Sequence, residues 1–161
     1  MKKYNGHTLK EYSDVLSRRI PTPGGGSAAA YTAVLGVSLL SMVANYSLGK
    51  STSKAAENKV RAFLKATEKT RKRLLELVDL DAEAYLKVVK TRKSAPAARK
   101  KALKAAQAVP LEVSRLCYQV ITQAPFLVAN GNKYLLSDVE VAVELLLAAF
   151  RSAMINVRIN Q

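Results

Sequence analysis

The string VDLDAEAY contains two aspartates, Asp79 and Asp81, whose neighbours on a helix would differ. Asp79 lies one turn from Glu76 and Glu83, which predicts a polar, solvated face. Asp81 falls on a seam with hydrophobic residues one or two turns away, which are Leu74, Val78, Tyr85 and Val88. Desolvation on such a seam raises the pKa of a carboxyl group toward the range useful for proton transfer. Asp81 is therefore the catalytic candidate, and a buried cap or an ion pair with a neighbouring helix is the structural alternative.

A glycine-rich turn, PTPGGGS at positions 21–27, precedes a long run that favours helix. The prolines are expected to hold the approach extended, while Gly24, Gly25 and Gly26 allow positive φ and close approach of a ligand. Ser27 is predicted to cap the following helix, whose free N–H groups would face outward. This construction suits an anion or a carbonyl group. The structural alternative is a tight turn into a buried helix.

Lys50 and an Asn-Gly-Asn loop supply further polar groups. ANYSLGKS at positions 44–51 matches a relaxed phosphate-loop pattern, but that loop requires a preceding strand and a helix that opens at the lysine. Because a helix is predicted to precede it here, nucleotide hydrolysis is not expected, and Lys50 is kept as a cation beside the turn. In LVANGNKYLLSD, Asn130 to Asn132 suit left-handed turn geometry, and their amides could read the edge of a heterocycle.

The counts of histidine and cysteine argue against several kinds of site. His7 is the single histidine and Cys117 the single cysteine, so neither a zinc site nor a Ser-His-Asp triad is expected. His7 is expected to be solvated ahead of the first helix. One thiol cannot close an intramolecular disulfide, and the polar N-terminus MKKYNGHTLKEY is unlike a signal peptide. The cytoplasm is the expected location.

The charge balance is strongly basic, with 26 Lys and Arg against 12 Asp and Glu and a formal net charge of +14. The basic residues concentrate in two tracts, Lys50 to Arg73 and Lys87 to Lys104. Such a field favours polyanionic partners, which include nucleic acid, anionic lipid and a polycarboxylate ligand. Nucleic-acid binding stays open as an alternative, although neither interleaved aromatic residues nor a known docking motif accompanies the charge.

Ahead of the two aspartates, a second helix is predicted from about Ser27 to Leu48, with Gly49 as a left-handed cap. The uncharged stretch from Ile20 to Gly49 is long enough to raise the possibility of a membrane span. Its Pro and Gly start and its small polar residues favour instead a helix surrounded by other helices in a soluble core. No membrane association is expected.

The helix that carries the aspartates is predicted to be long, because the sequence from Ser51 to Ala95 contains neither Gly nor Pro. If it is helical throughout, roughly 35 residues make a rod on the order of 50 Å long, which would suit dimer contacts. One seam runs along it at alternating steps of four and three. Its members are Val60, Leu64, Thr67, Arg71, Leu74, Val78, Asp81, Tyr85 and Val88.

The remaining helices complete an all-α bundle of about five helices in a single domain, residues 1–161. The first helix is predicted to begin with a capping box of Thr8 and Glu11 and to end near Arg19. A fourth helix is predicted to start near Pro96, to be kinked or interrupted at Pro110, and to resume as far as Pro125. A last helix is predicted to open at Ser137, which would form a capping box with Glu140.

Six blocks of the sequence, in order, resemble the cyclodeaminase/cyclohydrolase family. This family includes the C-terminal domain of formiminotransferase-cyclodeaminase and stand-alone bacterial methenyltetrahydrofolate cyclohydrolases. The blocks are PTPGGGSAAA, MVANYSLGK, VDLDAEAYLKVV, VPLEV, ANGNKYLLSD and NVRIN. The resemblance runs from about Thr8 to Asn160, nearly the whole chain.

The resemblance implies an all-α homodimer that acts on a reduced folate without a metal or a redox cofactor. Family members either close 5-formiminotetrahydrofolate to 5,10-methenyltetrahydrofolate with loss of ammonia, or hydrate the methenyl compound to 10-formyltetrahydrofolate. The matched positions are Asp81 for the acid, Gly24, Gly25, Gly26 and Ser27 for the glycine-rich turn, Gly49 and Lys50 for the Gly-Lys pair, and Asn130 to Asn132 for the loop.

These expectations give Asp81 the role of proton shuttle and the glycines the role of a surface for a flat pterin or its tail. The charge of +14 is unusual for the family. It would attract the polyglutamate tail of cellular folates. The alternative is a catalytically silent basic paralogue that serves as a nucleic-acid-binding or structural subunit.

Overall fold

The computed structural model describes residues 3–50 and 53–160, and these ranges contain helices and turns but no strand. Two short 3-10 helices lie at Tyr4–Gly6 and Lys133–Leu135. The α-helices in the described ranges are α1 Leu9–Leu16, α2 Gly25–Ser47, α3 Lys54–Lys90, α4 Pro96–Ile121, α5 Ala124–Asn130 and α6 Leu136–Ile159. The prediction of an all-α bundle with one long helix is confirmed.

Four long helices form the bundle. α2 packs along α3 and α6, and α4 packs along the same two helices. α2 and α4 therefore lie diagonally across a shared core. Fully buried aliphatic side chains fill it, among them Leu40, Leu74, Leu77, Val113 and Leu146. Because α2 and α6 run antiparallel, the start of α2 lies beside the end of α6, where Gly25 is close to Asn156.

The uncharged character of α2 follows from its place in this core. In the described residues it is the one helix long and apolar enough to cross a membrane, and 61% of its apolar window is buried inside the bundle. Its contact with α6 leaves no room for a side chain at Gly36, where a Cβ would lie 2.8 Å from Leu146 Cγ and 2.9 Å from the Ala142 carbonyl oxygen. This packing supports the interpretation of α2 as a core helix.

α3 is 37 residues long, which at about 1.5 Å per residue gives a rod of roughly 55 Å. Its N-cap is Ser53, whose Oγ accepts a hydrogen bond of 3.1 Å from the Ala56 amide. The helix begins at Lys54, inside the stretch without Gly or Pro. The buried Thr67 on the seam is satisfied by the hydroxyl of Ser41, 2.9 Å away on α2. Tyr85 is 41% exposed, so the seam leaves the core near the C-terminal end of α3.

The capping predictions had mixed outcomes. The box formed by Thr8 and Glu11 is present, with both hydrogen bonds made. The predicted box at Ser137 is wrong, because α6 begins one residue earlier behind a Leu135 N-cap that offers no side-chain acceptor. Gly49 has a φ of +73°, which confirms the left-handed cap. The first helix ends at Leu16 and not near Arg19, since residues 17–23 form a turn into α2.

Of the two effects predicted for Pro110, a kink or an interruption, the interruption is wrong, because α4 continues through this proline, which is buried. The chain is also more helical than expected after α4. Residues 124–130, assigned by the sequence to the end of one helix and a loop, form α5, which accepts Pro125 in its first turn.

Candidate functional site

Asp81 on α3 lies directly against the first turn of α2. The backbone N–H of Ser27 donates a hydrogen bond to the Asp81 carboxylate. A Cβ added at Gly26 would overlap the whole carboxyl group, and its distance to Asp81 Oδ2 would be 2.7 Å. Position 26 therefore excludes any side chain, and the sequence supplies glycine so that an acid from α3 can reach the backbone of α2.

The glycine triplet serves this close approach and not the conformation expected for it. Gly24 has φ −134°, and Gly49 is the one residue with positive φ in the described ranges, so the prediction of positive φ in the turn is wrong. Gly24 is itself the N-cap of α2, and Ser27 lies inside the helix instead of capping it. Open space surrounds the Cβ position of Gly24, so backbone there is accessible from outside.

Two opposing effects act on the acidity of Asp81. Desolvation by burial raises the pKa of its carboxyl group, while the hydrogen bond from the Ser27 backbone lowers that pKa, and the net direction is upward. The first turn of a helix also carries unpaired N–H groups and a positive partial charge, which favour a carboxylate beside it. Asp81 thus combines a raised pKa with a fixed orientation, and these are the properties of a group that exchanges protons.

Aromatic and polar side chains that sequence reasoning did not assign to the site surround this contact. The hydroxyl of Tyr12 lies 3.0 Å from Ser27 Oγ, and both residues are buried. The Tyr12 ring packs on Tyr31, with ring centroids 5.4 Å apart. Asn156 of α6 flanks Gly25. The only sequence signal for Asn156 is its position in the NVRIN block, and Tyr12 carries no sequence signal beyond its place in the first helix.

Asp79 is not on a solvated face, which corrects the sequence prediction. It is 6% exposed, and its Oδ1 accepts a hydrogen bond of 2.6 Å from the backbone N–H of Tyr4. The N-terminal 3-10 helix covers this face of α3, a contact between residues 75 positions apart that helical spacing cannot reveal. Asp79 therefore anchors the N-terminal segment. His7 in that segment is half-buried against Tyr4, not solvated as expected, with ring centroids 5.6 Å apart.

Lys50, Asn130 and Asn132 lie at the other end of α2. The Asn132 N–H donates to Ser47 Oγ over 2.9 Å, and Lys50 is exposed just beyond that helix end. The 21 residue steps from Gly26 to Ser47 correspond to roughly 30 Å. One chain therefore does not bring these three residues together with Asp81.

The Asn-Gly-Asn segment differs from its predicted geometry. Asn130 is the last residue of α5, and Gly131 is extended, with φ −86° and ψ −179°. Asn132 Oδ1 accepts a hydrogen bond of 3.1 Å from the Tyr134 N–H, so this side chain caps the short 3-10 helix. Left-handed geometry is absent from the three residues because α5 extends to Asn130.

Three large clefts in the described residues are not lined by Asp81. Two adjoining clefts of about 520 and 510 Å³ lie between α3 and α4 and share Ala66 and Gln123. A third of about 500 Å³ is lined mostly by apolar residues of α5 and α6. Within the described ranges, no group of three or more His, Cys, Asp or Glu side chains could hold a metal ion. The site at Asp81 is open to solvent on one side, because Asp81 is partly exposed and Gly25 beside it is exposed.

Comparisons with known proteins identify relatives of this chain. The family model described as formiminotransferase-cyclodeaminase matches residues 8–161. The methenyltetrahydrofolate cyclohydrolase of Methylorubrum extorquens is 36% identical over 95% of this chain and 78% of its own length. The mouse formimidoyltransferase-cyclodeaminase is 31% identical over 95% of this chain, which spans 30% of that longer protein.

A solved structure shares the fold. The formiminotetrahydrofolate cyclodeaminase of Thermotoga maritima superposes with a TM-score of 0.93 at 35% identity, and the match covers 96% of this chain and 78% of that one. The six blocks found in the sequence are thus matched by similarity in both sequence and fold over nearly the whole chain.

The raised pKa of Asp81 predicts a pH-dependent cost to stability. The unfolded chain loses the Asp81 proton above a pKa of about 3.9, whereas the folded protein retains it to a higher pH. The free energy of unfolding therefore falls as pH rises from the pKa of the unfolded chain to the higher pKa of the folded protein. Asp81→Asn removes the cost and is expected to be more stable than the wild type at neutral pH. The difference should shrink as pH falls below the unfolded pKa.

Urea unfolding at a series of pH values measures this effect. Asp14→Asn is the matched control, because Asp14 is 48% exposed and pairs with Lys10 on the surface of α1. It should change the free energy of unfolding little. A variant at position 81 that is less stable than wild type at neutral pH would contradict the prediction.

Proposed function

The chain belongs to the formiminotransferase-cyclodeaminase family and is a folate one-carbon enzyme, and on that premise we propose that it hydrates 5,10-methenyltetrahydrofolate to 10-formyltetrahydrofolate. The observation that carries this proposal is the carboxyl group of Asp81, desolvated and fixed against the start of α2. The second candidate is closure of 5-formiminotetrahydrofolate with release of ammonia, favoured by the Thermotoga relative. The matches favour an enzyme over a catalytically silent basic paralogue. We expect the reaction to occur in the cytoplasm, without a metal or redox cofactor.

Asp81 would act on both proton transfers of the hydration. As a carboxylate it accepts a proton from the water that attacks the methenyl carbon. As the resulting acid it returns that proton to N5 when the bond between this nitrogen and the carbon breaks. The hydroxyl proton of the water adduct leaves to solvent as the C=O bond forms, and the formyl group remains on N10. The same carboxylate stabilises the positive charge of the methenyl group before attack. In ring closure the same residue would protonate the departing amine.

The start of α2 would provide the surface for the pterin. Gly25 is exposed and Gly24 has open space around it, so a flat ring can lie against the backbone. N–H groups of the first turn are suited to carbonyl or carboxylate oxygens of the ligand. We therefore assign the binding role inferred from the sequence to Gly24 and Gly25, whereas Gly26 and Ser27 are buried and support the site through Asp81.

Removal of the Asp81 carboxylate tests the proposed function. Asp81→Asn is expected to lower kcat for hydration by at least about a hundredfold, because general acid–base catalysis supplies effects of that size. The decay of methenyltetrahydrofolate absorbance measures turnover, in a buffer whose own hydrolysis rate has been subtracted. Asp14→Asn should keep the wild-type rate.

Two outcomes would count against the proposal. Equal rates in Asp81→Asn and wild type would remove Asp81 from the mechanism. No acceleration by the wild-type protein with either methenyltetrahydrofolate or formiminotetrahydrofolate would refute both reactions.

A basic hairpin projects beyond Asp81 and suits the tail of the substrate. It comprises residues 87–104, in which no acidic residue occurs. α3 continues nine residues past Asp81, or about 13 Å. The first turns of α4 return beside it and are mostly exposed. Its basic residues are Lys87, Lys90, Arg92, Lys93, Arg99, Lys100, Lys101 and Lys104. A run of carboxylates bound here would extend from a pterin at Asp81, which is the role we assign to polyglutamate.

Charge removal from the basic hairpin tests this assignment. The triple variant Lys100→Gln, Lys101→Gln, Lys104→Gln is expected to raise KM several-fold for a pentaglutamate folate and to leave KM for the monoglutamate unchanged. The difference should vanish at high salt, which screens the attraction. Lys65→Gln, Lys69→Gln, Lys72→Gln removes equal charge from exposed positions in the middle of α3 and should not discriminate. Tight DNA binding that the first variant abolishes, with equal KM values, would favour the nucleic-acid alternative instead.

An uncharged stripe on α2 and a stripe of uncharged residues on α6, which exposed Glu144 and Arg151 border, suit a second copy of the chain. On both helices, partly or fully exposed residues repeat at alternating steps of four and three, as in helix-pairing seams. The α2 stripe is Ala28, Thr32, Leu35, Leu39, Met42 and Tyr46. The α6 stripe is Val141, Leu145, Ala148, Ser152, Ile155 and Ile159. Two molecules of net charge +14 repel each other elsewhere, so this face is where they can meet at least electrostatic cost.

A two-fold axis across the middle of α2 would also complete the site. It makes α2 antiparallel to α2 of the second copy, so the end of one helix lies beside the start of the other. Lys50 and Asn132 of one chain would then approach Asp81 of the other. This arrangement would reunite the residues that lie roughly 30 Å apart within one chain and would cover the open side of the site at Asp81.

Leu35→Lys is the variant that tests the dimer, because Leu35 is 43% exposed at the centre of the α2 stripe. Two lysines facing each other near the axis should convert a dimer to a folded monomer with reduced activity, as measured by light scattering and circular dichroism. Val128→Lys is the control, since Val128 is 52% exposed on α5, outside the stripe, and should stay dimeric.

Subunit mixing tests whether the site is shared. Asp81→Asn and Lys50→Ala are each expected to have low activity, and mixed dimers should regain part of it because one of their two sites is intact. A monomeric wild-type protein, or dimers whose activity does not recover on mixing, would contradict this arrangement.

A further inference from the structure

Tyr12 is connected to Asp81 through a single intervening residue. Its hydroxyl lies 3.0 Å from Ser27 Oγ, and the backbone N–H of the same Ser27 bonds the Asp81 carboxylate. Ser27 is completely buried and Tyr12 is 9% exposed, so water does not replace either partner readily. The Tyr12 hydroxyl therefore contacts the side chain of Ser27, and the amide of Ser27 contacts Asp81.

The ring of Tyr12 is held so that its hydroxyl has little freedom. It packs against Tyr31 of α2 and edge-on against Tyr4, with centroid distances of 5.4 and 6.4 Å. Tyr4 is itself fixed through its backbone, since its N–H donates to Asp79 over 2.6 Å. The N-terminal segment is thus bonded to α3 through Tyr4 and to α2 through Tyr12, which restricts the movement of the Tyr12 ring.

Within the proposed function, on which this inference rests, we propose that Tyr12 is a positioning residue that holds the first turn of α2, through Ser27, in register with Asp81. Gly26 brings this turn so close to the carboxyl group that a small shift of α2 changes the contact. A buried hydroxyl without a partner is costly, so loss of the phenol would make Ser27 reorient and would loosen its N–H contact with Asp81.

The protonation state of Tyr12 suits this role at neutral pH. Its pKa is raised first by burial, and Asp81, Tyr31 and Tyr4 raise it further, while the Ser27 hydroxyl lowers it. These are the titratable groups that face it from α3, α2 and the N-terminal segment. The phenol therefore stays neutral while Asp81 titrates, and it orients Ser27 without carrying the proton itself.

Tyr12→Phe tests the inference by removing only the hydroxyl. We expect kcat for folate turnover to fall by about tenfold to a hundredfold, as misplacement of a catalytic group does, with KM nearly unchanged because Tyr12 does not hold the substrate. The acid limb of the rate profile should move to higher pH, because Asp81 loses part of the hydrogen bond that lowers its pKa.

Tyr4→Phe is the matched control, because it removes an equivalent buried hydroxyl from the same aromatic group but one bonded to Thr22. It should leave kcat and the acid limb near their wild-type positions. Ser27→Ala should reproduce the effect of Tyr12→Phe, and the double variant should be no worse than either single one. Unchanged kcat in Tyr12→Phe, or an equal loss in Tyr4→Phe, would overturn the inference.

A measurement without substrate separates this inference from the proposed function. The amide resonance of Ser27, followed by NMR as pH is varied, should report the titration of Asp81 and lose that dependence in Asp81→Asn. Tyr12→Phe should raise the midpoint and speed hydrogen exchange at this amide, and Tyr4→Phe should do neither. An unchanged midpoint refutes the role of Tyr12, whether or not the wild type consumes folate. A raised midpoint in an inactive wild type would preserve the role of Tyr12 and refute the function.

Discussion

The contact between the Asp81 carboxylate and the first turn of α2 is the constraint on which the rest of the site depends. It requires glycine at position 26, because any side chain there would occupy the space of the carboxyl group. It also requires α2 and α3 to pack in a fixed axial register, since the acid comes from α3 and the N–H donor from Ser27 on α2. Burial at this junction raises the pKa of the acid, so packing and acidity have the same physical origin.

Charge is distributed so that each surface of the bundle suits a different partner. α2 carries no charged residue: one side of it packs against α3 and α6, and its partly exposed stripe is also uncharged. The basic residues are displaced to α3 and α4, above all to the basic hairpin that projects past Asp81. This separation would let the proposed polyanionic tail and the proposed second copy of the chain approach from different directions without competing for one face.

The N-terminal segment links the fold to the site. Asp79, which faces away from Asp81 on the same helix, accepts the Tyr4 N–H and so helps to fix the tyrosine pair. Tyr12 in turn meets Ser27 beside the acid. Two aspartates separated by one residue thus have different surroundings, because α3 has different elements on its two sides: the N-terminal segment covers Asp79 and the glycine turn of α2 covers Asp81.

The sequence by itself determined the helical class, the long third helix and the family, because periodicity and ordered motifs are local properties of the chain; it also supplied Asp81 as the catalytic candidate. It could not reveal that Asp79 is buried, that Gly26 accommodates a carboxylate, or that Tyr12 reaches Ser27, since these contacts join residues distant in sequence. Tertiary structure also decided the distance between the predicted site residues. Asp81 packs at the start of α2, whereas Lys50 and Asn132 lie at its end, roughly 30 Å away along the rigid helix.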